Sequence, residues 1–310
     1  MYCIQDTWDK AKPKHSIYVK KRIADYVGAL PGDEKYISSM LLRKFVIKYQ
    51  DEIATGDVPA LRHLISITSR IEKYSCNSHL MTLFRAEAKL LFDYDYFSEK
   101  KTTLWCAYAL CGLAKNKICP YCNQNYAFTV TGTTKDFRPT LDHFFPKAKY
   151  PFLALSLYNL VPSCYTCNSS LKGKTDFGVI PHLHPFDMKS GFNFRISPKN
   201  NISFASLVTN KHTLKRHGKL VPDKGKSDKA TENSIATFLL EHRFELNNDS
   251  FMEFAILRKE LTEGRVRDIQ KILGRSVDLP MLLGFNEHDY KNQMHGKIYR
   301  DLYRQFKPRT

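Results

Sequence analysis

The chain has 310 residues, of which 43% are hydrophobic and 25% are charged. These proportions exclude a wholly disordered chain, and the length suits two domains or a small catalytic unit inside a larger scaffold. The formal net charge is +17, which a fold does not require and which creates a surface that attracts polyanions, nucleic acid foremost. Membrane surfaces and acidic proteins are the other partners that such a charge suits.

The sequence contains no apolar run long enough to span a bilayer. Residues 1–21 are polar and lack the hydrophobic region of a secretory signal. We therefore expect a cytoplasmic protein without a membrane partner. Its eight cysteines are not expected to form disulfides in a reducing compartment, where paired Cys-x-x-Cys motifs favour a metal site.

Residues 1–115 have the pattern of a helical region. Asp33 is positioned to cap one helix and Asp57 another. The apolar stripes of these helices are Ile37, Leu41, Phe45 and Tyr49, and Leu61, Leu64, Thr68 and Ile71. Further helices are predicted over residues 81–92 and 102–115. We expect the apolar faces of such helices to form the core.

The middle of the chain has a different character. Residues 125–131 are rich in aromatic and β-branched side chains and precede Gly132, which predicts a short strand and a turn. Residues 189–230 contain ten lysine or arginine residues and two acidic ones. This basic segment is predicted to be a linker or loop, and it is either a surface that follows phosphates or a flexible solvated stretch.

Residues 231–310 return to a helical pattern. Their apolar positions recur at helical spacing in three groups, which are Phe254, Leu257 and Leu261, then Ile269, Ile272 and Leu273, and then Tyr299, Leu302 and Phe306.

Two Cys-x-x-Cys motifs lie within residues 116–188. Their cysteines are Cys119 and Cys122, and Cys164 and Cys167. Two intervening residues let both thiolates reach one metal, and two such motifs complete a tetrahedral zinc site. Four thiolates leave no position for water, so the predicted zinc is structural and not catalytic. The alternatives are reduced core cysteines or a thioredoxin-like redox motif, for which the surrounding βαβ pattern is missing.

A set of polar residues lies between and after these motifs. Asp142 and His143 are followed closely by a proline, Asn159 comes next, and Asn168 directly follows the last cysteine. Phosphodiester hydrolysis requires a base that takes a proton from water and a divalent cation that neutralises the phosphate. At a strand end Asp142 and His143 would point to opposite faces, so that one can face a metal and the other water. Each residue is unremarkable alone, and the order of the motifs carries the prediction.

In this order of motifs, residues 119–174 resemble the HNH endonuclease family, in the branch braced by a four-cysteine zinc site. The resemblance implies a β-hairpin followed by a helix, the ββα-metal fold. It implies that His143 is the general base and that Asp142 and Asn168 are ligands of a catalytic Mg²⁺ or Mn²⁺. It also implies that Asn159 holds the loop and orients the base.

Five further residues are candidates by position. Lys172 and Lys174, near the expected helix, and Lys147 are predicted to contact the nucleic-acid backbone, and the alternative is solvent exposure. His182 and His184 follow closely and either supplement the metal site, contact phosphate or have no function.

A looser resemblance extends beyond this region. The chain is similar to the HNH-nuclease subunits of Septu-type and retron-associated antiphage systems in four segments, which are CPYC, DHFFPK, YPFLALSLYNLVPSC and CN with lysine. In those proteins a helical scaffold surrounds the HNH unit. The resemblance implies an ABC-type ATPase partner and, in retron systems, a reverse transcriptase with RNA-linked DNA.

The sequence therefore predicts a predominantly helical α+β protein. A zinc-braced HNH unit over residues 116–188 is expected between a helical region at 1–115 and the basic segment at 189–230, with a second helical region at 231–310. The predicted function is metal-dependent hydrolysis of nucleic acid, with DNA favoured over RNA. The alternative is a non-catalytic zinc-braced nucleic-acid-binding or assembly subunit.

Overall fold

The computed structural model describes residues 1–29, 37–75, 78–187, 192–223 and 228–307. Within these residues the chain forms fifteen α-helices and three two-stranded antiparallel sheets. The predicted α+β class, predominantly helical, is confirmed. The helix cap predicted at Asp33 and the boundary predicted after residue 188 lie outside the described residues.

The chain divides into two compact units. The N-terminal unit comprises Cys3–Pro120 and Tyr126–Met188, and the C-terminal unit comprises Met1–Tyr2, Tyr121–Asn125 and Lys189–Thr310. No helix in the described parts of the chain has the length and apolar character needed to cross a membrane.

The helices of the N-terminal unit come first in the chain. They are α1 (Lys12–Ala29), α2 (Ile37–Lys48), α3 (Gln50–Thr55), α4 (Val58–Tyr74), α5 (Ser78–Leu91), α6 (Tyr94–Ser98) and α7 (Ala107–Gly112). Helices α2 and α5 pack on the 3₁₀ helix Pro151–Leu153 through the buried rings of Phe45, Phe84 and Phe152, whose centroids lie 5.4 to 6.3 Å apart. Aromatic packing of this kind fixes the segment that follows the candidate catalytic motif.

The strands of the N-terminal unit are short. They are β1 (Val130–Thr131), β2 (Asp136–Phe137), β3 (Thr140–His143) and β4 (Leu160–Ser163). β1 pairs with β2, and β3 pairs with β4. The strand expected over residues 125–131 is regular only at β1, and the turn after it is closed by the Asp136 carboxylate, which accepts from Gly132 N–H at 2.9 Å.

The C-terminal unit begins with elements from the basic segment. They are β5 (Asn193–Pro198), α8 (Phe204–Thr209), α9 (Lys211–His217) and β6 (Gly218–Asp223). The described part of this segment is therefore folded, although the sequence predicted a linker or loop. The reason is that alternate strand residues, among them Phe194, Ile196 and Leu220, are apolar and buried, while their neighbours carry the charge.

The remaining elements of the C-terminal unit are helical. They are α10 (Lys229–Thr237), α11 (Leu240–Glu245), α12 (Asn248–Glu260), α13 (Glu263–Leu273), α14 (Leu279–Leu283), the 3₁₀ helix Glu287–Asn292 and α15 (Gly296–Gln305). Helix α15 is tied to β5 because the buried Asp301 carboxylate accepts both from Phe194 N–H at 2.9 Å and from the Lys297 ammonium.

The predicted cap of α4 is confirmed. The Asp57 side chain accepts from Ala60 N–H at 3.0 Å and satisfies one of the unpaired donors of the first turn. The helix buries Leu61, Leu64 and Thr68, three of the four residues in the expected stripe.

Removal of this cap should destabilise the N-terminal unit. We expect Asp57→Ala to lower the free energy of unfolding by about 1 kcal/mol, because the donor loses its partner, whereas Asp57→Asn keeps most of it. Urea unfolding followed by tryptophan fluorescence measures this, since Trp8 and Trp105 both belong to this unit. Equal midpoints for the two variants would refute the capping role.

Candidate active site and metal centre

Four cysteine side chains meet in a buried cluster. The Sγ atoms of Cys119, Cys122, Cys164 and Cys167 all lie within 4.8 Å of one another. Zinc–thiolate bonds of about 2.3 Å place the sulfurs of a tetrahedral site about 3.8 Å apart. The predicted meeting of the four cysteines is confirmed, and the cluster has the donors and the spacing to hold an ion such as zinc. Four thiolates would complete its coordination, which suits a structural role.

The second pair of cysteines lies at the junction of β4 and the π-helix Thr166–Lys172. Cys164 directly follows β4, and its carbonyl oxygen accepts from Asn168 N–H at 3.1 Å. The same turn therefore presents thiolates to the cluster and fixes the start of the segment that carries Asn168 and Lys172. Single turns of π-helix recur at functional sites.

His143 ends β3, and its ring is fixed by two neighbours. Its Nε2 lies 2.9 Å from the carbonyl oxygen of Ala154, and the ring of Tyr94 packs edge-to-face at 4.4 Å between centroids. Because a carbonyl oxygen only accepts, we assign the proton of the neutral imidazole to Nε2, which leaves the lone pair on Nδ1. Burial lowers the pKa of His143 to about 3, against the opposing effect of the Ala154 hydrogen bond. The ring is therefore neutral near pH 7.

Asn159 closes the loop that holds this histidine. It is fully buried. Its Nδ2 donates to the carbonyl oxygens of Phe145 at 3.0 Å and Leu153 at 2.9 Å, and its Oδ1 accepts from Phe145 N–H at 2.8 Å. Leu153 directly precedes Ala154, so these bonds also position the carbonyl group that orients His143.

Asp142 is buried and paired with Lys172. The two side chains are 2% and 3% exposed, and Lys172 Nζ lies 2.5 Å from Asp142 Oδ1. The same ammonium also donates to the carbonyl oxygen of His143 and lies 5.0 Å from the ring centre of Phe177. The sequence predicted a phosphate contact or solvent exposure for Lys172, but a buried carboxylate needs a compensating charge, and this lysine supplies it.

A surface cavity of about 590 Å³ opens onto these groups. Its wall contains predicted site residues from two stretches of the N-terminal unit, 142–147 and 168–174, namely Asp142, His143, Lys147, Asn168, Lys172 and Lys174. Lys147 pairs with Asp95 at 2.6 Å, and Lys174 is exposed. The structure thus places the predicted base, the two predicted metal ligands and the three lysines on the wall of one cavity.

The two remaining candidates, His182 and His184, lie in an aromatic cluster and are not part of the cavity wall. The His182 ring stacks on Phe177 with centroids 3.7 Å apart, and the His184 ring lies 3.9 Å from Phe144. Burial lowers the pKa of both imidazoles. Their placement favours a packing role over contact with a metal or phosphate.

Tyr94, Ser98 and Arg138 are among the wall residues that the sequence did not predict. The Arg138 guanidinium donates to the carbonyl oxygens of Pro139 at 2.9 Å and Ser98 at 3.1 Å, which holds it at the cavity. Because Arg138 lies just before the Asp-His motif in the sequence, its position could have marked it as a candidate site residue. No local pattern marks Tyr94 or Ser98, because the tertiary fold alone brings α6 to the site.

No family model matches the chain, and no solved structure gives a significant match. A stretch of 76 residues is 41% identical to Protein ea31 of Escherichia phage lambda. This similarity covers 24% of the chain and spans 22% of the length of the phage protein.

The metal content of the chain tests the cysteine cluster. We expect about one zinc ion per molecule and expect Cys164→Ser to lose most of it, because three thiolates no longer complete the tetrahedron. Cys3→Ser, whose thiol lies outside the cluster, is the matched control and should retain zinc. Elemental analysis of both purified variants measures the zinc content. Zinc retained by Cys164→Ser would argue against a zinc site at the four cysteines.

Removal of the Lys172 ammonium should leave the buried Asp142 carboxylate without its counter-charge. We expect Lys172→Ala to lower the free energy of unfolding by about 3–5 kcal/mol, because a buried carboxylate is left without its partner. Exposed Lys174→Ala should change it by no more than about 0.5 kcal/mol. Urea unfolding of the zinc-loaded variants without added Mg²⁺ or Mn²⁺, followed by tryptophan fluorescence, compares them. Equal stability of the two variants would mean that Lys172 does not serve as the counter-charge.

Proposed function

We propose that the chain is a metal-dependent endonuclease of the HNH type, with its active centre in the cavity walled by Asp142, His143 and Asn168. The observation that carries the proposal is the placement of His143. Its Nε2 is tied to the Ala154 carbonyl oxygen, and its ring lines a cavity together with a carboxylate and an amide. Nucleic-acid binding alone requires no such combination.

His143 has the properties of a general base. Its Nδ1 lone pair can accept the proton of an attacking water. The Ala154 carbonyl oxygen, which accepts from Nε2–H, stabilises the positive charge that the ring gains in that step. Asn159 keeps both partners in place through the loop that it closes.

In this proposal Asp142 and Asn168 hold a divalent cation. They provide a carboxylate and an amide on one wall, and such hard oxygen donors suit Mg²⁺ or Mn²⁺. When bound, the ion would neutralise charge on the phosphate and on the leaving oxygen. Lys172 holds one oxygen of Asp142 and adds a fixed positive charge beside it.

The charge of the chain supports a nucleic-acid substrate. The net charge is +17, and Lys147, Lys174 and Arg138 lie on the cavity wall. Phosphates release counterions when such groups neutralise them, which favours binding at low salt. The similarity to HNH nucleases favours DNA over RNA as the polymer. In this proposal the cysteine cluster holds zinc and braces the segment that presents Asn168.

A second function is favoured by one observation. The Lys172 ammonium already pairs with Asp142, the proposed metal-binding carboxylate. A chain in which lysine permanently takes the place of the metal would bind nucleic acid without cutting it, as a binding or assembly subunit.

The similarity to antiphage subunits extends the proposal to an effector nuclease that acts beside an ABC-type ATPase, with a reverse transcriptase and its RNA-linked DNA in a retron system. If this extension holds, the isolated chain is inactive and cleavage appears when the co-expressed ATPase is added.

Cleavage assays test the proposal. The full chain, alone and with a co-expressed ATPase, is incubated with plasmid DNA, single-stranded DNA or tRNA in EDTA, Mg²⁺ or Mn²⁺. We expect cleavage that requires the divalent ion and falls at least 100-fold in His143→Ala. The variant must match the wild type in zinc content and unfolding curve. Salt-sensitive binding without cleavage in any mixture would instead support the second function.

The pH dependence of cleavage tests the state of His143. Its pKa is lowered to about 3, so the ring stays neutral and competent as a base as the pH falls through 6.5. We expect the cleavage rate at pH 5.5 to stay within about twofold of the rate at pH 7.5. An imidazole with the ordinary pKa of about 6.5 would lose about tenfold over this range, and that loss would contradict the assigned environment.

A further inference from the structure

A second cavity of about 590 Å³ adjoins the candidate active centre within the N-terminal unit. The two cavities share Tyr94, Lys147 and Ala148 in their walls. Ala154, whose carbonyl oxygen holds His143, also lines the second cavity. When the scissile phosphate of a nucleic acid lies at His143, the nucleotide next to that phosphate would therefore reach the second cavity.

The wall of this second cavity is partly apolar. Its apolar members are Ala86, Leu90, Phe92, Ala148, Pro151 and Ala154. Leu90, on α5, is 77% exposed, so core packing does not account for it. Tyr94 adds an aromatic ring to the wall it shares with the active centre. This lining suits a flat, weakly polar group.

The cavity wall also contains three cations, Arg85, Lys89 and Lys147. Arg85 pairs with Glu72 at 2.7 Å, whereas Lys89 has no ion-pair partner within the described residues. The carboxylates of the wall are engaged, because Asp95 pairs with Lys147 at 2.6 Å and Asp93 caps α6 by accepting from Tyr96 N–H at 3.0 Å. The cavity therefore combines an apolar surface with an available positive charge.

We propose that this cavity receives the base of an unpaired nucleotide next to the scissile phosphate, so that the nuclease acts on single-stranded nucleic acid. The inference rests on the proposed function. Single-strand-binding sites combine basic groups that follow the backbone with apolar or aromatic surfaces for the bases. The bases of a duplex are stacked and paired and cannot enter such a cavity without being extruded.

Two matched variants on one helix test the inference. Leu90→Glu places a carboxylate in the second cavity. Leu83→Glu adds the same charge to α5 at another exposed leucine, 48% accessible, outside the cavity. Both are made in the full chain that also carries His143→Ala, which prevents cleavage. Fluorescence anisotropy in Mg²⁺ at fixed salt measures binding of a labelled single-stranded DNA 12-mer and of its blunt duplex.

We expect Leu90→Glu to weaken binding of the single strand about tenfold relative to Leu83→Glu, which is the scale of losing one stacked base. Binding of the duplex should be equal in the two variants. Equal single-strand affinity in both variants, an equal loss for the duplex, or no binding of the single strand to any form would overturn the inference.

Cleavage by the chain with His143 intact separates this inference from the function on which it rests. Binding that depends on Leu90, without cleavage by the chain either alone or with the co-expressed ATPase, would support the nucleotide cavity and contradict the nuclease function. Equal cleavage of single strand and duplex, with no dependence on Leu90, would support the nuclease function and contradict the proposed nucleotide cavity.

Discussion

The antiparallel pairing of β3 with β4 is the constraint on which the candidate site depends. Its register sets Asp142 opposite Val161 and His143 opposite Leu160. Asn159 directly precedes β4 and closes the loop after β3, while Cys164 directly follows β4 and starts the turn that carries the second pair of cysteines. A slip of one residue would exchange the faces of Asp142 and His143 and separate the base from its carbonyl partner.

Charge balance inside this pairing links stability to function. A buried carboxylate is costly unless it is paired, and Lys172 pairs with Asp142 while also binding the main chain of His143. The lysine thus holds the segment after β4 against β3. It also competes for the oxygen that a divalent cation would use, so we infer that metal affinity is weak until a phosphate adds negative charge to the cavity.

Local chemistry explains which features the sequence could predict. Cys-x-x-Cys spacing and the Asp57 cap are short-range patterns, and both predicted the structure correctly. The stripe predicted for α2 was correct only at Phe45, since Ile37 is 71% exposed and the other residues that α2 buries are Ser38, Leu42 and Val46. The stripe of α13 is exposed, with Ile272 83% accessible. Periodicity identifies a helix. The buried face of that helix depends on its tertiary neighbours, which the local sequence does not specify. The position of Tyr94 at the cavity depends on tertiary contacts in the same way.

The proposed nuclease requires Asp142 and Asn168 to hold a divalent cation in the cavity that His143 lines. Anomalous diffraction from crystals of the full chain soaked in Mn²⁺, at a concentration that supports cleavage, locates that ion. We expect a manganese peak within about 2.5 Å of oxygen atoms of Asp142 and Asn168, and no such peak in Asp142→Asn crystals. A peak elsewhere in the chain, or none while Lys172 remains on Asp142, would rule out this metal site.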